Sequence, residues 1–274
     1  MGTVFRVARS ASFLHICGMS DLHGSTTLFV ADSHFHLVPD AAEARRVAAF
    51  VRFLELAHGV DDLVLLGDIF DFWFDYPHFR LDGYDEILGA LDDVRNTGTR
   101  LHFIGGNHDI WAADYFHRRY GTDPDANARI LELGGIRVLL NHGDGLLGYD
   151  WAYNTFRAIV RNRAGILLAK SLHPETLYAL STWLSGASRS ATRDESEKIV
   201  TKGRRWLKQQ DDAPWDLMVM GHVHHAFELV AGPRRMAALA GWFDTLGYGL
   251  LMDGRFRLLD FAETPDPLDR IPTR

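Results

Sequence analysis

Asp62-Leu63-Val64-Leu65-Leu66-Gly67-Asp68-Ile69-Phe70-Asp71 decides how the chain is read, because an apolar run breaks abruptly into a glycine and two carboxylates. A short apolar run bounded by a turn signal reads as a buried strand. Residues 62–66 are therefore a strand, and Asp68 stands just past its carboxyl end. Outward from this stretch the figure repeats. Residues 27–31 form a buried strand ahead of Asp32-Ser33-His34, and the periodic segment 41–57 is the helix that follows. Segment 84–96 is the helix after the second strand, and residues 100–104 and 110–120 supply a third strand and helix. Alternation of this kind predicts an α/β sheet.

Further along, residues 130–133 and 136–140, separated by Gly134-Gly135, predict a hairpin that adds strands. Helical spacing then runs without strand signals through residues 150–163, 166–184 and 193–210, broken at Pro174 and at the small-residue run 185–192. Strands resume at 217–220, and short β segments occupy 226–261, punctuated by Gly232-Pro233, Gly247 and Asp253-Gly254. The expected organisation is a loose tail over 1–24, one domain over 25–262 carrying a helical insertion at 149–213, and a loose proline-bearing tail over 263–274. Met19 is a candidate alternative start, with nothing functional expected before it.

The chain has 274 residues, a formal charge of −7, and 47% hydrophobic against 24% charged residues. That is the composition of an ordinary soluble globular protein, and the acidic balance argues against a nucleic-acid partner. Its single cysteine, Cys17, cannot form an internal disulfide, so a reducing compartment, the cytoplasm, is expected. No apolar stretch approaches the roughly 20 residues of a spanning helix.

Ligand-type residues follow the expected strands in five places: Asp32-Ser33-His34, Gly67-Asp68-Ile69-Phe70-Asp71, Gly105-Gly106-Asn107-His108-Asp109, Asn141-His142-Gly143-Asp144 and Gly221-His222-Val223-His224. Sites in α/β sheets lie beyond the carboxyl ends of strands, so the five loops converge on one mouth. Glycines beside the ligands let backbone approach an ion closely. Helix capping would account for Asp32, Asp68 and Asp109, but leaves His142, His222 and His224 without a reason to cluster. Asp21-Leu22-His23 imitates the first motif without a preceding strand and is set aside. Nitrogen and oxygen donors without thiolate suit manganese, iron, zinc or cobalt.

The ordered set D-x-H, G-D-x-x-D, G-N-H-D, H and G-H-x-H resembles the calcineurin-like metallophosphoesterases. The resemblance implies a two-sheet α/β/β/α sandwich and a two-metal site. Asp68 would bridge the ions, Asp32, His34 and His224 would complete one, and Asn107, His142 and His222 the other, with manganese as the expected metal. It places His108 at the leaving-group oxygen as a general acid or charge stabiliser, with Asp109 fixing its ring. Asp71 and Asp144 would support the ligands from behind or simply hydrogen-bond their own loops.

The stretch Leu65-Leu66-Gly67-Asp68-Ile69-Phe70-Asp71-Phe72-Trp73, the motif His142-Gly143-Asp144-Gly145 followed by Asp150, Tyr153, Phe156 and Arg157, and the helical insertion are similar to the UDP-2,3-diacylglucosamine diphosphatases of lipid A synthesis. That similarity implies hydrolysis of a nucleotide-sugar lipid to UMP and 2,3-diacylglucosamine 1-phosphate by an enzyme peripheral to the cytoplasmic face of the inner membrane. The best-known branch carries G-N-R-D, and this chain follows a branch that keeps histidine, here His108. The insertion's Ile166, Leu167, Leu168, Leu172, Leu177, Leu180, Trp183 and Leu184 would serve acyl chains or simply pack its helices together. Arg157, Ser188, Arg189, Arg193 and Lys198 are candidates to grip the diphosphate and sugar, though a solvated helix face accounts equally for Lys198. A phosphoesterase with another soluble substrate and a non-catalytic scaffold of the same fold stay open as alternatives.

Overall fold

The computed structural model describes residues 25–74, 82–146, 176 and 196–262. In chain order the elements are β1 (Thr26–Val30), α1 (Ala41–Leu56), β2 (Asp62–Leu65), α2 (Asp85–Asn96), β3 (Arg100–Phe103), α3 (Ala113–Tyr120), β4 (Arg129–Leu133) and β5 (Ile136–Asn141). After them come α4 (Ser196–Leu207), β6 (Leu217–Met220), β7 (Phe227–Ala231), β8 (Arg234–Ala238), α5 (Trp242–Thr245), β9 (Gly247–Met252) and β10 (Arg255–Asp260).

The strands form two five-stranded sheets, ordered β10-β9-β1-β2-β3 and β4-β5-β6-β8-β7. β1, β2 and β3 are parallel, as are β5, β6 and β8, so both sheets send the carboxyl ends of neighbouring strands to a shared rim. Side chains alternate across each strand, and that alternation builds the layers. Leu28 and Val30 of β1, with Leu63 and Leu65 of β2, face Phe50, Phe53 and Leu54 of α1 and Ile87, Leu88 and Leu91 of α2. On the opposite face, Phe29 and Val64 pack between the sheets against Val138, Leu140, Leu217 and Val219. The outer face of the second sheet, Met218, Met220 and Met236, is covered through Leu207, Ile199 and Trp206 of α4. Each such fully buried large side chain contributes about 1.5–3 kcal/mol relative to an exposed one. The result is an α/β/β/α sandwich.

Local chemistry sets the element ends. The Asp40 carboxylate caps α1 by accepting the N–H groups of Ala42 and Glu43, both at 2.8 Å. Gly134 and Gly135 both take positive φ, 55° and 78°, the two-residue turn that matches strand twist, and the expected hairpin of β4 and β5 forms there.

The structure departs from the sequence expectation in short pieces. Tyr84 and residues Ile110–Ala112 belong to 3-10 turns that lead into α2 and α3. Gly247 opens β9 instead of separating strands, and α5 had no signal at all, since four residues are too few to show a period. The two expected tails, and the insertion apart from residue 176, α4 and the turn after it, lie outside the described residues. Among the described residues no helix is long and apolar enough to cross a membrane.

Candidate metal centre

All five motif loops leave the carboxyl ends of strands at the common rim: Asp32 and His34 after β1, Asp68 and Asp71 after β2, Asn107, His108 and Asp109 after β3, His142 after β5, and His222 and His224 after β6. The backbone continues to pair beyond the strands. Asp32 N–H donates to the Gly67 carbonyl at 3.0 Å and His34 N–H to the Asp68 carbonyl at 2.9 Å, which brings the first two loops together. The His222 N–H donates to both carboxylate oxygens of Asp32, at 3.1 and 2.8 Å, and so joins the first sheet to the second.

Asp68 is the hub. Its Oδ2 lies 3.3 Å from His142 Nε2, 3.8 Å from His34 Nε2 and 4.0 Å from His108 Nε2. Asp32 Oδ1 lies 3.5 Å from His224 Nε2. Potential ligand atoms fall within 4.8 Å of one another in three overlapping groups: Asp32, His34 and His224; His34, Asp68 and His108; and Asp68, His142 and His222. Asp68 is common to two of them.

Five of the residues brought together here have left-handed backbone that non-glycine residues rarely adopt: Asp32 (φ 51°), His34 (46°), Asp68 (52°), His222 (69°) and His224 (57°). Such conformations cost about 1–3 kcal/mol each and persist only where surrounding structure over-determines them. Gly106 shows how tight that surrounding is, since a Cβ there would fall 2.1 Å from Asp68 Oδ1 and 2.5 Å from Asp68 N.

The electrostatics favour cations. Burial would push the Asp68 carboxyl up, but the imidazoles of His142 and His108 hold it well below the usual carboxylate range. Burial acts the same way on Asp32, and the hydrogen bond from His224 together with the charges of His142 and His224 outweighs it and lowers that carboxyl. Burial disfavours a charged His142, yet Asp68 raises that ring well above its ordinary value. For His222 burial and the neighbouring His142 outweigh the pull of Asp68, Asp32 and Asp144 and take it down to about 4. Buried Asp144 adds negative field to both rings. Several donor atoms are buried without a hydrogen-bond partner: both ring nitrogens of His34, Nε2 of His142 and Oδ1 of Asn107. Since buried polar atoms ordinarily find partners, and His142 Nδ1 is already committed to the Leu66 carbonyl at 2.9 Å, the unsatisfied set suits divalent metal ions.

The expectation that Asp109 fixes the His108 ring is corrected. Asp109 is fully buried and its carboxylate accepts four backbone N–H groups, from Asp68 (3.1 Å), Ile69 (2.8 Å), Phe70 (3.4 Å) and Gly106 (2.9 Å). Burial and the Asp68 charge push its carboxyl up to about 6. The ring of His108 is held by Asp71, with Nδ1 3.0 Å from the Asp71 carbonyl and 3.4 Å from Oδ1. Adjacency in sequence points to Asp109, whereas Asp71 lies 37 positions away and reaches the ring only because the loops after β2 and β3 meet.

Phe243 was not anticipated. It sits in α5, its N–H donates to the Asp32 carbonyl at 3.2 Å, and its ring meets His34 and His224 edge-on at 5.6 and 4.9 Å. Arg157, Ser188, Arg189 and Arg193 lie outside the described residues, and Lys198 is exposed on the first turn of α4.

Residues 14–226 match the calcineurin-like phosphoesterase family, and the chain belongs to it. As a member it is a metal-dependent hydrolase. It is 33% identical over 248 residues to a UDP-2,3-diacylglucosamine hydrolase of Aeromonas hydrophila, covering 86% of this chain and 99% of that protein. It is 31% identical over 267 residues to a protein of the same name from Porphyromonas gingivalis, covering 87% and 98%. Among solved structures a distant likeness extends to Vacuolar Protein Sorting 29 from Cryptosporidium parvum, at 12% identity and a TM-score of 0.42 over 86% of this chain and 96% of that one.

Proposed function

We propose that the protein hydrolyses the pyrophosphate of UDP-2,3-diacylglucosamine, giving UMP and 2,3-diacylglucosamine 1-phosphate, with two divalent cations, manganese in the first instance. The observation that carries the substrate is the near end-to-end similarity to proteins named UDP-2,3-diacylglucosamine hydrolase, in a chain that keeps a donor at each of the seven ligand positions. Asp32, His34 and His224 would hold one ion, Asn107, His142 and His222 the other, and Asp68 both. Bound there, such a pair supplies Lewis acidity toward phosphoryl oxygens and activates water at neutral pH.

The residues around it do the rest. His108 Nδ1–H donates to the Asp71 carbonyl, which leaves Nε2 as the nitrogen to face the leaving group. Water adds to the uridine-side phosphorus as the anhydride P–O bond breaks, and His108 would protonate the departing lipid-phosphate oxygen or stabilise its charge. The His142 ring, fixed through Nδ1 by the Leu66 carbonyl, keeps Nε2 aimed at Asp68. Segment 166–184 is assigned to the acyl chains at an anionic membrane surface, and Arg157, Ser188, Arg189, Arg193 and Lys198 to the diphosphate and sugar.

The test compares UMP release from UDP-2,3-diacylglucosamine and from its deacylated analogue, with manganese present. Much slower reaction of the analogue is expected, because acyl binding energy is lost in the transition state. Equal rates would refute the lipid substrate. Hydrolysis of bis-p-nitrophenyl phosphate without UMP release from either compound would assign the centre to another phosphoester.

A further inference from the structure

The loop that carries Asp32 and His34 is gripped by a helix that contributes no ligand. Once Asp40 has capped α1, Glu43 and Arg46 stand one turn apart beneath this loop. Glu43 is 4% exposed. Its Oε1 accepts the His36 N–H at 3.0 Å, and its Oε2 accepts Arg46 Nε at 3.1 Å and also meets Nη2. Arg46 Nη1 donates to the Ser33 carbonyl at 2.8 Å, and the guanidinium lies 5.4 Å from the centre of the Phe35 ring. Residues on both sides of His34 are thus held by one ion pair. A helix i, i+3 pair contributes little to stability by itself, and burying a carboxylate is costly unless it is fully partnered. The bonds Glu43 and Arg46 make hold the stretch 33–36 of the loop between β1 and α1, in which His34 has φ 46° and neither of its ring nitrogens has a hydrogen-bond partner.

We propose that Arg46 and Glu43 are positioning residues that hold the Asp32-Ser33-His34 loop in its left-handed form and thereby set the affinity of the cation position built on Asp32, His34 and His224. The Arg46 bond to the Ser33 carbonyl fixes the peptide plane that leads into His34, so the direction of the imidazole follows from α1. From the other side the His34 N–H is held by Asp68 at 2.9 Å and the Phe35 N–H by Ile69 at 3.0 Å. Loss of the α1 side frees the left-handed residue to relax away from its neighbours. The inference rests on the metal-centre reading above and adds to it a control point outside the ligand set.

Calorimetric titration of the full chain with Mn2+ tests it, on wild type, Arg46→Gln, Glu43→Gln and Arg46→Lys, with His142→Ala as the variant aimed at the other position. Wild type binds two equivalents. In Arg46→Gln one equivalent weakens by about 10- to 100-fold, the loss typical when a partner that orients a ligand is removed, and the other is unchanged. Arg46→Lys keeps a charge beside Glu43 but cannot bridge Glu43 and Ser33 as a fork, so it falls between the two. Glu43→Gln shifts the same equivalent in the same direction, and His142→Ala weakens the opposite one. At saturating Mn2+ the Arg46→Gln variant recovers kcat with an unaltered KM. Two equivalents bound as tightly as in wild type by Arg46→Gln, with only a lowered melting temperature, would overturn the proposal and leave the pair a structural one. If Arg46→Gln does not fold, unchanged affinities in Arg46→Lys and Glu43→Gln overturn it in the same way. Absence of any Mn2+ binding by wild type would overturn both the clamp and the centre it serves.

Discussion

Asp109 Oδ2 accepts the backbone N–H of Ile69 at 2.8 Å, across forty positions of sequence. With its bonds to Asp68, Phe70 and Gly106 this makes one buried carboxylate the strut between the loop that carries the hub aspartate and the loop that carries Asn107 and His108.

Asp109→Asn puts an amide donor against N–H groups that need an acceptor. The expected loss of unfolding free energy is about 1–3 kcal/mol, read from denaturant midpoints without added metal. Mn2+ affinity falls with it, and high Mn2+ restores turnover. Wild-type stability in this variant would contradict the strut.

At Gly106 a methyl group meets Asp68 Oδ1 at 2.1 Å and Asp68 N at 2.5 Å, and the backbone nitrogen cannot yield the way a flexible side chain does. Gly106→Ala is expected to cost about 1–3 kcal/mol and to weaken metal binding by moving the hub. Gly89→Ala, where nothing lies within 4 Å of an added Cβ, is the matched control and leaves Mn2+ binding unaltered.

Phe243→Ala removes a ring that touches His34 and His224 edge-on. Such contacts contribute about 0.5–1.5 kcal/mol beyond area burial. Looser binding of one Mn2+ equivalent is expected, with Phe243→Tyr close to wild type. Identical titration curves for Phe243→Ala and wild type would remove Phe243 from any role at the centre.

Asp62 lies at the far end of β2 from the loops, fully buried, with Oδ1 2.7 Å from His102 Nε2 and both oxygens 2.9 Å from Arg100 nitrogens. Burial raises its carboxyl, but His102 and Arg100 outweigh burial and leave it below the ordinary value. A carboxyl lowered by folding stabilises the fold above its unfolded pKa, about 3.9, and that contribution is lost as pH falls through the lower folded value. Arg100 is 66% exposed, so solvent screening limits its share. Asp62→Asn should cost about 1–2 kcal/mol at neutral pH and flatten the acid limb of stability below about pH 4. An acid limb as steep as wild type would place the titrating group elsewhere.

The local periodicities made the main elements legible. Strands β1, β2 and β6 are short and mostly apolar, β3 alternates Arg100, Leu101, His102 and Phe103, and α1 repeats its apolar residues at Val47, Phe50 and Leu54. The gathering of these candidate donors was legible too, because each follows a strand end, where chain direction alone carries it to the rim. The 3-10 turns and α5 were not, since three or four residues hold no period.

By itself, then, the sequence determined which side chains gather and that they are of types that suit a divalent cation, because strand, turn and residue type are local properties. Only the tertiary structure decided how they are held: Asp71 instead of Asp109 at the His108 ring, Asp109 as a strut, Phe243 against two imidazoles, Arg46 and Glu43 beneath the first loop, and left-handed backbone at five of the gathered residues. Those relationships join positions tens of residues apart, and no local pattern encodes a distance or a φ that exists only once two sheets and their helices have packed.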